Sequence, residues 1–104
     1  METINVILYV EESSIIAQGI EWDIAVQGES VLDAKKKFMN SLIATMSNVI
    51  SGVVQKEAPI KFFHLLLEAK PTYKIPIPDV LEVTNHSIVP RNIMFWEHKK
   101  SEVW

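Results

Sequence analysis

At Gly28 the hydrophobic period of this chain changes, and that change limits the possible folds more than any other feature. Before it, apolar residues recur at every second position; after it, at every third or fourth. Residues 3–10 (TINVILYV) set Ile4, Val6, Leu8 and Val10 against Thr3, Asn5, Ile7 and Tyr9, the alternation of a strand with one strongly apolar face. Glu11-Glu12-Ser13-Ser14 is a polar break of hairpin length. Residues 14–20 resume the β pattern, Glu21-Trp22-Asp23 interrupts it, and residues 24–27 form a third, shorter strand ending at Gly28. Links this short favour an antiparallel meander.

The junction QGESVLDAKKKF, residues 27–38, then opens a helix. Ser30 is placed to cap it by accepting a first-turn N–H, Asp33 brings negative charge to its positive end, and Gly28 offers the unusual φ that a tight turn often needs. Apolar steps of three and four run from Val31 to about residue 55, so one long helix is expected. Ala58-Pro59 begins a second, shorter helix, IKFFHLLLEA, with proline at an early position and Pro71 as its stop. That helix is apolar nearly all round, so burial on more than one side is expected. It suggests a homo-oligomer, a dimer or higher, with Phe62, Phe63, Leu66, Phe95 and Trp96 as the candidate interface. Residues 75–104 read as an extended arm or as one or two edge strands, at 80–84 and 92–96. The expected class is α+β, a single domain over residues 1–104 in the order β-β-β-α-α-β.

Charge divides the chain as sharply as periodicity does. Residues 1–34 hold seven acids and no lysine or arginine, whereas residues 35–104 hold all ten bases against six acids. Such a split suggests an acidic surface offered to a basic partner, with Glu11, Glu12, Glu21, Trp22 and Asp23 as the candidate contact residues. Lys35-Lys36-Lys37 opposes the helix dipole and reads mainly as a solvated face; it lacks the second basic element that nucleic-acid binding would want.

Little in the chain suggests catalysis. There is no cysteine, hence no disulfide and no thiolate chemistry. His64, His86 and His98 are too widely spaced for one element to make a metal site of them. Three glycines build no phosphate loop. No metal, cofactor or catalytic residue is expected, and the chain does not read as an enzyme. A small hydrolase using Glu21, Asp23 and one histidine is the weaker alternative. No targeting segment or membrane span is expected, and a cytoplasmic location is the default.

Gly28-Glu29-Ser30-Val31-Leu32-Asp33-Ala34 matches at every defined position the motif G-[DE]-[ST]-x-x-[DE]-A that opens the helix of HicB-like antitoxins. Ile16-Ala17-Gln18 matches the second strand of that family, and Lys74-Ile75-Pro76-Ile77-Pro78 is similar to the segment leading into its last strand. The chain resembles this family over about residues 3–50. The resemblance implies a truncated RNase-H-like β-β-β-α-β fold without nuclease carboxylates, and a role in binding and neutralising a small basic RNA-cleaving toxin, HicA. Two departures accompany it. Gly19-Ile20-Glu21-Trp22-Asp23 stands where the family frequently has P-[DE]-[LF]-P-G-[CV], and the second helix is an insertion relative to the compact members. No ribbon-helix-helix or helix-turn-helix pattern follows residue 75, so nothing here supports DNA binding.

Overall fold

The computed structural model describes residues 1–78 and 88–99. Strands β1 (Thr3–Glu11), β2 (Ser14–Gly19) and β3 (Ala25–Gly28) form the expected antiparallel meander. Helix α1 (Val31–Ile50) and helix α2 (Ile60–Leu67) follow, and then two more strands, β4 (Ala69–Pro76) and β5 (Asn92–His98). The result is one five-stranded mixed sheet in the order β3-β2-β1-β5-β4. The fold is α+β, as expected, but its element order is β-β-β-α-α-β-β. The expected strand at residues 80–84 lies outside the described residues.

Two features of the C-terminal part differ from the sequence expectation. Residues 92–98 are not an edge strand. They pair in parallel with β1 and antiparallel with β4, so β5 is interior, with Ile93 and Phe95 fully buried. The edge belongs to β4, beginning two residues past α2 where only a helix stop is legible. Its prolines, Pro71 and Pro76, and its exposed Lys70 and Lys74 suit an edge, where unpaired backbone must discourage further pairing. A bulge between Pro71 and Lys74 breaks the alternation, and there Thr72 donates its hydroxyl to the Phe95 carbonyl at 2.9 Å.

The main core lies between α1 and one sheet face. Ala34, Phe38, Leu42 and Met46 recur every fourth residue along α1, and all four are buried against Ile4, Val6, Leu8, Ala17, Ile93 and Phe95. Each of the larger side chains contributes about 1.5–3 kcal/mol by leaving water. Phe38 and Phe95 meet edge-to-face, with ring centroids 6.2 Å apart. The opposite sheet face carries a smaller cluster, in which Ala58 and Phe62 pack on Ile7, Ile20 and Ala69. At eight residues α2 is about 12 Å long, so it covers only part of that face.

Both ends of α1 have defined chemistry. Ser30 Oγ accepts from the Asp33 N–H at 3.0 Å, and the Asp33 carboxylate accepts from the Glu29 N–H at 3.0 Å, a reciprocal cap. The helix ends at Ile50, about five residues before its apolar period does. Gly52 adopts φ 101°, its N–H reaches the Val49 carbonyl, and the Val53 N–H reaches that of Asn48. This is the Schellman closure that a left-handed residue permits. Gly28 serves a different purpose from the one its position suggests, since positive φ occurs at Gly52 and not at Gly28. A Cβ on Gly28 would stand 2.5 Å from the Ala34 nitrogen and 2.8 Å from its Cα. Glycine at one end of the motif and alanine at the other let strand and helix backbones touch.

Candidate interaction surfaces

The five candidate partner-contact residues do not form one site. Glu11 and Glu12 sit at the β1–β2 hairpin, whereas Glu21, Trp22 and Asp23 connect β2 to β3 at the other end of β2. A six-residue strand separates them by about 20 Å.

The second group is tied into the fold, although Asp23 stays exposed. Trp22 is only 6 % exposed and belongs to the main core. It does not face outward, because the bend at residues 20–24 folds back on itself: the Gly19 N–H reaches the Ile24 carbonyl at 2.7 Å. Glu21 accepts the Asn5 backbone N–H at 2.7 Å and the Asn5 side-chain amide at 2.8 Å. Asn5 Oδ1 in turn accepts the Trp96 indole N–H at 2.9 Å. Asp23 accepts from the buried Gln18 amide at 2.8 Å. Both carboxylates accept hydrogen bonds from amides of neighbouring strands. Among the described residues, no three His, Asp or Glu side chains come together in a way that could hold a metal ion.

Glu11 and Glu12, by contrast, are exposed on a turn of unusual backbone. Glu11 pairs with Ser14, leaving Glu12 and Ser13 as a two-residue loop with φ 49° and 70°. That is the left-handed conformation of a tight hairpin, which Asn-Gly or Asp-Gly adopts more easily. Val10 beside them is also exposed. The neighbouring Tyr9 is half-buried, and burial, followed by the Glu11 charge, raises its phenol above the ordinary value.

The candidate oligomer residues divide in the same way. Phe95 is 1 % exposed and faces α1. Trp96, its neighbour on the strand, faces α2 and is tied to Asn5. Successive strand residues point to opposite faces, so the two cannot share an interface. Phe62 is buried beneath α2, its ring 6.0 Å from that of Tyr9, and Leu66 packs partly on the same cluster. Phe63 remains at the surface. The most exposed large apolar side chains of α2 are Leu67 and Ile60, at 83 % and 75 %. A helical wheel finds them, because residues 60, 63, 64 and 67 lie opposite 62, 65 and 66.

The lysine triplet does not make one basic patch. Lys35 extends over the Phe95 ring, 5.2 Å from its centroid, and Lys37 reaches Asp33 at 3.2 Å and the Gln27 carbonyl at 3.3 Å. Lys36 is exposed, lines a surface hollow with Lys35 and lies within electrostatic reach of Asp33. No helix among the described residues is long and apolar enough to cross a membrane. Comparison with protein-family models, curated proteins and solved structures finds no match to this chain.

Proposed function

We propose that this chain is a non-enzymatic protein-interaction domain of the HicB-like kind, and that its β1–β2 hairpin end holds a small basic protein. The partner class that the resemblance implies is an RNA-cleaving toxin, which binding would neutralise.

The observation that carries this reading is the hairpin turn. Glu12 and Ser13 occupy left-handed backbone at a cost of about 1–2 kcal/mol per residue, relative to residues suited to it. Such strain at an exposed turn is a reason to look for function there. What it displays is the pair Glu11-Glu12, within a chain segment, residues 1–34, that contains no lysine or arginine. Acidic charge so placed would steer a basic partner and set its orientation. The Gly28–Ala34 motif supports the family reading independently of charge.

The test is recovery of partners from the native host on the tagged chain at low and at physiological salt. A small basic protein is expected, with capture reduced at high salt and abolished in a Glu11→Lys/Glu12→Lys variant. The purified partner should cleave RNA, and the chain should inhibit that cleavage at equimolar ratio. Failure to recover a small basic protein under either condition overturns the proposal.

A further inference from the structure

Helix α2 has two apolar stripes, and the fold uses one. Phe62, Leu65 and Leu66 turn toward the sheet. Ile60, Phe63, His64 and Leu67 follow the spacing i, i+3, i+4, i+7 on the opposite side, and line an open hollow of about 540 Å³. At the exposures of its apolar members this stripe amounts to a patch on the order of 400 Å², a size that on a soluble domain commonly marks a contact.

We propose that the outer stripe pairs with the same stripe of a second copy, the two α2 helices lying antiparallel about a two-fold axis. This inference does not depend on the partner reading above, which uses the hairpin end. The middle of α2 falls between Phe63 and His64. An antiparallel copy therefore sets Ile60 of one chain against Leu67 of the other, and Phe63 against His64, each twice by symmetry.

Charge favours this orientation over a parallel one. Lys61, exposed but with its ammonium 5.0 Å from the Phe62 ring centroid, flanks the stripe in the N-terminal half, and Glu68 flanks it just past the C-terminus. Seven residues apart at about 100° per residue, they lie on the same side of the helix. Antiparallel pairing places Lys61 of each copy beside Glu68 of the other, whereas a parallel two-fold would carry this flank to opposite sides of the pair and bring no such contact. Glu68 contacts His98 at 3.7 Å and keeps 45 % of its side chain exposed, enough to reach outward.

The stripe would bury roughly half of the ~800 Å² per partner typical of a stable interface, so the dimer should be weak and reversible. A dissociation constant on the order of 100 μM is expected.

Sedimentation equilibrium from about 10 μM to about 1 mM spans that constant and tests the idea. The mass should rise from the 11.9 kDa monomer toward twice that value. Ile60→Lys and Leu67→Lys alter exposed positions and should keep the circular dichroism and melting temperature of the parent while remaining monomeric throughout. Lys61→Glu alone and Glu68→Lys alone should each weaken the dimer several-fold, and the double exchange should restore it. A parent chain that stays monomeric at the highest concentration overturns the proposal and assigns the face to a different protein. A dimer indifferent to Leu67→Lys, or a double exchange that restores nothing, overturns it as well.

Discussion

Trp96 donates its indole N–H to Asn5 Oδ1 at 2.9 Å, and Asn5 passes both its backbone N–H and its side-chain amide to Glu21. Three separate pieces of chain, β5, β1 and the β2–β3 connection, are joined by one asparagine. The link lies on the sheet face that α2 only partly covers, where packing alone leaves register under-specified. Hydrogen bonds to a charged group contribute about 1.5–3 kcal/mol, more than neutral pairs.

Replacing that asparagine should therefore be costly. Asn5→Ala is expected to lower stability by about 2–3 kcal/mol, because it strips Glu21 of one donor and leaves the indole N–H without its acceptor. Glu21→Gln should cost less, about 1 kcal/mol, since an amide oxygen still accepts. Urea unfolding gives both values. A red shift of tryptophan emission in Asn5→Ala would report Trp96 meeting water.

The hairpin turn should be improvable. Glu12→Asn with Ser13→Gly supplies residues that accept positive φ and should raise stability by about 1–2 kcal/mol. The same change removes one acid from the surface assigned to the basic partner, so affinity should fall while the melting temperature climbs. A gain in both would show that Glu12 is not part of that contact.

The glycines should rank by cause. Gly28→Ala pushes a methyl into the Ala34 backbone, which cannot move without shifting α1, and should cost about 2 kcal/mol or more. Gly52→Ala meets open space and is strained only by φ, so about 1 kcal/mol is expected. Chemical denaturation of the two variants gives the order, and a reversal would contradict the close strand–helix contact.

Asp33 should lend α1 a pH dependence of known sign. The Glu29 N–H, and then Lys37, hold its carboxyl below the ordinary carboxylate value. A native pKa below the unfolded one makes its contribution fully present above the unfolded value, and lost as pH falls through the native one. Carboxyl NMR should place the Asp33 midpoint below the ordinary aspartate value. Asp33→Asn should flatten the acid limb of stability without changing the neutral-pH fold.

Where local chemistry decides, the sequence was readable. The alternation in residues 3–10, the polar break at 11–14, the Ser30 cap and the aromatic strand beginning at Asn92 all lie where patterning places them. The helix end at Ile50 was legible too, in Gly52, but the apolar residues Val53 and Val54 mask it by continuing the period into solvent. For the contact surfaces less was legible. Net acidity singled out Glu11, Glu12, Glu21 and Asp23 alike and could not show that the last two accept from Asn5 and Gln18, which lie 16 and 5 residues away along the chain.

By itself, the sequence determined the first three strands, the two helices and the strand at 92–98, with the turn and cap residues between them, but not β4, because periodicity and capping act over a few residues. Only the tertiary structure decided which strand is central, which carboxylates are bound to amides and which side of α2 remains open. Those outcomes depend on pairing distant segments. Residues 92–98 alternate in the same way whether they end a sheet or fill its middle. It is β1, buried on both faces, that draws them in beside it and leaves the proline-bearing β4 to close the edge.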